Sequence, residues 1–151
     1  MKIEEFIDGY KKAKDKENYL YKHVERQYIP FEEKVALCER IRDHAMLKEV
    51  NGKQIFFMSS PVVYELFVCV CFSNYTDIEI GQGEDMLKSF NVLEEYDLYK
   101  LLLSQIQDVE RFYTVLCMTK DDAITNNSIV SFLETKFDSL NILFKEIEKA
   151  Q

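Results

Sequence analysis

The sequence predicts a mostly α-helical fold, a compact multi-helix bundle around a buried central helix with one small β-hairpin. Four glycines and two prolines in 151 residues favour long helices over a sandwich or barrel. The apolar fraction of 47%, with nine Tyr and eleven Phe, excludes a disordered chain. Residues 62–72 are apolar except for Glu65, and such a segment must be covered on every side. The length and the absence of repeats or linkers predict a single domain, residues 1–151.

Three helices are expected in the first third of the chain. They cover Ile3–Ala13, Glu17–Gln27 and Phe31–His44. Pro30 suits the first turn of the third helix because its missing N–H has no helical partner there. An apolar stripe at helical spacing marks the inward face of that helix: Phe31, Val35, Cys38, Ile41 and Ala45.

A β-hairpin is expected next. Met46–Val50 and Lys53–Met58 flank Asn51-Gly52, the pair preferred in a type I′ turn because both residues tolerate positive φ. A lone hairpin is marginal in water, so one face must pack on helices. The alternating segment Asp77–Ile80 could add a third short strand.

The central segment from Ser60 to Phe72 is interpreted as a helix. A continuous apolar run does not by itself separate a buried strand from a buried helix. Some 13 residues are long for a strand and ordinary for a helix, and the preceding Ser59-Ser60-Pro61 is typical of a helix start. The run is too short to span a bilayer, which needs roughly 18 apolar residues.

The second half predicts four more helices. A short one covers Glu84–Phe90, and the next runs from Asn91 to Ile106, opened by a capping box of Asn91 with Glu94. A helix over Asp108–Lys120 is followed by a polar loop, Lys120–Asn127, and by a last helix over Ser128–Lys149.

The last helix carries a heptad-like apolar seam. Its spacings of 4, 4, 3, 4 and 3 hold for about two heptads, fewer than the three or four that predict a coiled coil. We therefore expect the seam to pack into the same domain. The seam residues are Ile129, Leu133, Phe137, Leu140, Phe144 and Ile147.

The net charge is −8, and the acidic excess lies entirely in residues 51–151. Such a surface repels nucleic acid and anionic membranes at long range. It would suit a basic partner, although a merely solvated surface is the commoner explanation. The cysteines, Cys38, Cys69, Cys71 and Cys117, have apolar neighbours, so we expect reduced, structural thiols.

No catalytic, cofactor or metal site is predicted. His23 and His44 lack partners at ligand spacing. Acidic neighbours around Gly81-x-Gly83 would repel a phosphate, and Glu84-Asp85 and Asp121-Asp122 do not follow the ligand spacing of a calcium loop. We therefore expect a protein that is not an enzyme.

The most partner-like surface lies between Lys11 and Arg26, where basic residues and tyrosines alternate. Such a segment can bind single-stranded nucleic acid through stacking and phosphate contacts, although the net negative charge of the chain argues against a nucleic-acid partner. The candidate residues are Lys11, Lys12, Lys14, Lys16, Tyr21, Lys22 and Arg26.

The segment Tyr28–Ile41 reads YIPFEEKVALCERI, and shorter segments of note are Val50–Lys53, Ser60-Pro61, Tyr75–Ile80 and Cys117–Asp122. Together these segments resemble a group of small proteins of tailed phages and prophages of Gram-positive bacteria. The resemblance implies a phage origin and a non-enzymatic role, without site residues.

The leading hypothesis is a phage protein that acts through protein–protein contacts, in virion assembly or as a minor structural component. Its partner would be a phage structural protein or a host factor, and a homo-oligomer stays open. One alternative is an early-expressed acidic inhibitor of a host or defence nucleic-acid-binding protein; another is a nucleic-acid-binding module using Lys11–Arg26. We expect no membrane partner, and a location in the host cytoplasm during infection or in the virion.

Overall fold

A computed structural model describes all residues, 1–151. Seven helices and one two-stranded antiparallel sheet confirm the mostly α fold with a single hairpin. In chain order the elements are α1 (Ile3–Lys12), α2 (Lys16–Tyr21), α3 (Phe31–Ala45), β1 (Leu47–Val50), β2 (Lys53–Phe56), α4 (Ser60–Tyr75), α5 (Glu84–Glu95), α6 (Leu98–Gln105) and α7 (Asp108–Ala150). No helix is both long enough and apolar enough to cross a membrane.

The central helix α4 is confirmed, but it is buried over only part of its length. Phe67, Val68 and Phe72 are at most 1% exposed, whereas Val62 and Tyr64 near its start are about 40% exposed. The helix packs on α3 and α5, and these neighbours leave its first turn in solvent. Pro61 lies in that first turn, and the preceding Ser59 makes no side-chain capping hydrogen bond.

The first three helices differ from their predicted bounds mainly in α2. It ends at Tyr21 instead of Gln27, because the chain then turns to bridge Val24 to Thr76 at the end of α4. Ile3, Phe6, Ile7 and Tyr10 form the buried face of α1. In α3 the predicted stripe is correct at Cys38, Ile41 and Ala45, but Phe31 is 58% exposed at the helix start.

The hairpin is confirmed, and its turn has the required geometry. Asn51 and Gly52 have φ of 53° and 75°, as a type I′ turn demands. Leu47 pairs with Phe56 and Val50 with Lys53. The predicted third strand is wrong: Glu79 makes only an isolated bridge to Lys2, because the Asp77–Ile80 segment lies beside the N-terminus of the chain and not beside the hairpin.

The predicted break at Asn91 is also wrong. Helix α5 runs through this residue to Glu95, because one asparagine in a helix costs only about 0.7 kcal/mol relative to alanine. The chain breaks instead at Asp97, which has φ of 52°. Aspartate is one of the few residues that visit the left-handed region readily.

The predicted loop between residues 120 and 127 does not exist. Helix α7 is continuous over 43 residues, a rod of about 65 Å at 1.5 Å per residue. The polar residues Asp121, Asp122, Asn126 and Asn127 are weak helix formers, but no glycine or proline accompanies them. Their combined cost does not outweigh the helix already formed on either side.

A buried ionic cluster joins α3, α4 and the start of α7. Asp108 is 4% exposed and Lys34 is 3% exposed, and Lys34 Nζ lies 2.5 Å from Asp108 Oδ1. Asp108 Oδ2 accepts hydrogen bonds from the Tyr75 hydroxyl and the Ile29 backbone N–H, both at 2.8 Å. All three donors of the cluster therefore donate to one carboxylate, that of Asp108.

Asp108 makes folding sensitive to acid. Burial alone would raise its pKa, but the hydrogen bonds from Lys34, Ile29 and Tyr75 outweigh burial and hold the pKa below the usual value. The folded protein therefore binds this proton less readily than the unfolded chain. The resulting stabilisation is fully present above the unfolded pKa of about 3.9 and is lost as pH falls through the lower folded pKa.

We expect Asp108→Asn to remove this contribution. Urea unfolding should show a less stable variant at pH 7, and a free energy of unfolding that declines less steeply than that of the wild type below about pH 4. Equal slopes for both proteins in that range would show that Asp108 does not titrate in this way.

Candidate interaction surfaces

The most unusual surface is the second half of α7. Its first half packs on the rest of the protein, and we call residues 1–127 the body. Val109, Phe112 and Leu116 are buried there, α7 contacts α3, and the Phe112 ring lies 5.1 Å from the Phe67 ring of α4, measured between centroids. From Ser128 onward every residue is exposed. We call residues 128–150 the arm. At 1.5 Å per residue it extends about 35 Å.

The arm is rich in exposed apolar side chains. Monomeric soluble proteins rarely leave contiguous apolar patches larger than a few hundred Å² in solvent. On the arm ten large apolar residues are between 46% and 63% exposed: Ile129, Val130, Phe132, Leu133, Phe137, Leu140, Ile142, Leu143, Phe144 and Ile147.

The prediction that the last seam packs into the same domain is therefore wrong. Because α7 is continuous, the arm carries on the seven-residue spacing of the first half of the helix, with Val130 in place of Ile129 as the first seam position on the arm. The positions with this spacing are Val109, Phe112, Leu116, Thr119, Ala123, Asn126, Val130, Leu133, Phe137, Leu140, Phe144 and Ile147. Thr119 and Asn126 are polar, so the uninterrupted apolar part is Val130–Ile147, about two and a half heptads.

The hairpin contacts α7 at Asn127, just before the arm, and at Glu134, in the first turns of the arm. The Phe56 backbone N–H donates to Asn127 Oδ1 at 3.1 Å, and Lys53 Nζ lies 3.2 Å from Glu134 Oε1. Both side chains of the Lys53–Glu134 pair are more than half exposed, so it contributes little stability. The hairpin thus steadies the first turns of the arm and leaves its apolar seam uncovered.

A second apolar surface is a groove of about 600 Å³ between α4, α6 and α7. Its volume matches a small ligand or a few side chains of a partner. Tyr64 and Tyr99 meet edge to face across it, 6.0 Å between ring centroids, and burial is the main cause that raises the pKa of Tyr64 to about 12. The other lining residues are Met46, Met58, Ser60, Val63, Phe67, Leu103, Glu110, Tyr113, Thr114, Leu116, Cys117 and Lys120.

The basic segment Lys11–Arg26 is partly occupied by contacts within the chain. Arg26 donates to Glu33 through two nitrogens and to the Asn74 carbonyl at 2.6 Å. Lys16 donates to the carbonyls of Tyr10 and Lys11, and Lys11 lies 5.3 Å from the centroid of the Tyr96 ring.

The other residues of this segment stand in solvent. Tyr21 is 55% exposed, and Lys12, Lys14 and Lys22 are exposed too. That this segment binds a partner stays a prediction, and Tyr21, Lys12, Lys14 and Lys22 are the residues of the segment whose exposure would allow such a contact.

The His23–Asp77 pair and the four cysteines lie in structural surroundings. His23 Nδ1 lies 2.9 Å from Asp77 Oδ1 and its ring packs edge-on against Phe6, so the pair ties α2 to the end of α4. All four cysteines are free. Burial raises the pKa of Cys38 and of Cys69 to about 12, which keeps both thiols protonated. No cluster of three or more potential metal ligands is present.

Comparisons with protein-family models, with curated proteins and with solved structures find no match.

Proposed function

We propose that this chain acts through protein–protein contacts and not through catalysis, with the arm as its main contact surface. The exposed apolar seam of residues 128–150 is the observation that carries the proposal. Apolar side chains at the a, d and flanking positions of a heptad lower the free energy of the protein only when a partner removes them from water. A helix that projects from a folded body can present such a seam to a partner without disturbing the core.

The rest of the molecule supports the same proposal. Buried thiols of raised pKa are poor nucleophiles. The side chain of His23 makes its hydrogen bonds to Asp77, and its ring packs against Phe6 and Tyr19, so the pair is explained by the packing of this corner of the fold. The apolar groove beside α7 offers a second surface where side chains of a partner fit.

The biological setting that we propose is phage assembly, as an assembly factor or a minor structural component. The support is the resemblance of Tyr28–Ile41 and the shorter segments to small phage proteins, together with the arm. Repeated association through exposed helical seams is a common way to join subunits in an assembly.

Quantitative mass spectrometry of purified particles and of assembly intermediates tests this proposal. We expect the wild-type chain in one of these fractions. The amount of a seam variant, Phe137→Glu with Leu140→Glu, in that fraction should be lower than that of the wild type by about tenfold or more, because charged side chains replace the centre of the apolar contact.

The matched control is Ser128→Glu with Thr135→Glu, which adds the same charge on the opposite side of the arm. The control should enter the particles like the wild type. Absence of the wild-type chain from particles and intermediates would contradict the proposal, and salt-sensitive retention of a host nucleic-acid-binding protein would favour the inhibitor alternative instead.

A further inference from the structure

We propose that the first occupant of the arm is the arm of a second copy of this chain, paired antiparallel across the seam. This inference deepens the proposed function, on which it rests, by naming the partner of the contact surface. Two observations support the pairing: the seam is uncharged at each a and d position of the heptad from Val130 to Ile147, and nothing else in the chain covers it.

The seam is complementary to itself in one antiparallel register. Placing Phe137 opposite Leu140 of the second copy also places Leu133 opposite Phe144, and Val130 opposite Ile147. Each layer then pairs a larger with a smaller or more compact apolar side chain, and the two-fold axis generates six such layers. Interfaces of this isologous kind close at the dimer. A parallel pairing would instead stack Phe137 on Phe137 and Phe144 on Phe144.

The flanking positions fit the same register. Beside the seam, Glu134 faces Asn141 of the second copy and Lys136 faces Leu143, so no like charges meet. The arm carries four acidic and three basic residues and is nearly neutral. Two arms therefore approach without appreciable repulsion.

The bodies favour the antiparallel orientation. They carry nearly all of the net charge of −8, and parallel arms would set the two acidic bodies side by side. In the antiparallel register, Ala150 of the second copy comes level with Asn127, the residue at which the hairpin meets α7. The bodies then lie at opposite ends of a stretch of about 35 Å, and electrostatic repulsion between them is small.

The seam is large enough for a stable dimer. Val130, Leu133, Phe137, Leu140, Phe144 and Ile147, with Ile129 and Leu143 beside them, are each about half exposed. Covering such side chains in two copies would remove on the order of 1,400 Å² from water, within the range of specific interfaces.

Sedimentation velocity on the full chain, from about 1 to about 100 µM, tests the pairing. We expect a concentration-dependent dimer. Phe137→Glu with Leu140→Glu should weaken the dimer by about 100-fold or more, while Ser128→Glu with Thr135→Glu should leave it unchanged. A wild-type monomer throughout this range, a dimeric seam variant, or equal losses in both variants would overturn the inference.

Disulfide trapping tests the orientation. Val130→Cys mixed with Ile147→Cys should give a cross-link between the two variants on mild oxidation, whereas Val130→Cys alone should not link to itself. Peptide mapping separates these products from any formed by Cys117, the one native cysteine that is not buried. A self-link of Val130→Cys in place of the mixed product would show parallel arms and overturn the proposed register.

Failure of the dimer and failure of the proposed function give different results. A monomeric wild type whose seam variant is still lost from particles would contradict the dimer and leave the proposed function standing. A dimer of the predicted register in a chain that is absent from particles and intermediates would contradict the proposed function and leave the dimer standing.

Discussion

Asp108→Ala is expected to destabilise the protein by about 3–5 kcal/mol at pH 7. The substitution leaves Lys34 charged, buried and without its partner, and it deprives the Tyr75 hydroxyl and the Ile29 N–H of their acceptor. Breaking one side of a buried ion pair has this order of cost. For a domain of this size the melting temperature should fall by about 10 °C.

Asp121→Ala is the matched control, since Asp121 is an exposed aspartate on the same helix. It should change stability by no more than about 0.5 kcal/mol. Lys34→Ala with Asp108→Ala should cost less than the two single substitutions together, because the second change removes the charge that the first left unpaired. Strict additivity would show that the two residues do not act as a pair.

Val68→Asp should prevent the domain from folding. Val68 is fully buried in the second half of α4, and an unpartnered carboxylate there loses its hydration without gaining a hydrogen bond. The cost approaches the whole stability of a typical domain, about 5–15 kcal/mol. Circular dichroism and solubility of the expressed protein give the result directly.

Val62→Asp is the control on the same helix. Val62 lies in the first turn and is 40% exposed, where a carboxylate stays hydrated and meets the positive end of the helix dipole. It should melt within a few degrees of the wild type. A soluble Val68→Asp protein with unchanged melting would refute the central position of α4.

The elements that the sequence predicted correctly are those with a strong local cause. The hairpin follows from Asn51-Gly52, whose positive φ values few other pairs adopt. Helix α4 follows from the length of its apolar run and from Pro61 in its first turn. In both, the residues that decide the structure are neighbours in the chain.

The predictions were wrong where a weak local signal for a helix end or a loop competed with the continuity of a helix. Asn91 with Glu94 has the spacing of a capping box, and Asp121-Asp122 with Asn126-Asn127 has the composition of a loop, yet each costs a helix only tenths of a kcal/mol per residue. The continuous helices α5 and α7 outweighed them. The Asp108 cluster was not predictable from the sequence, because it joins residues 74 and 79 positions apart.

The candidate surface was half predictable. The spacing of Leu133, Phe137, Leu140 and Phe144 revealed an apolar seam, but the same spacing serves a helix that packs inside its own domain and one that packs on another chain. The choice depends on whether the body already has a closed core. Here it does, with Phe67, Phe72 and Phe112 fully covered without the arm.

Hydrogen exchange of the full chain at increasing protein concentration tests most directly whether the arm is uncovered in the monomer and becomes covered when a partner binds. An unpaired helix is marginal in water, so amides of residues 128–150 should exchange rapidly in dilute protein and become protected as association sets in. Amides of the buried part of α7, residues 109–116, should be protected at every concentration. Strong protection of the arm in the most dilute sample, equal to that of residues 109–116, would place it against its own body and contradict its role as a contact surface.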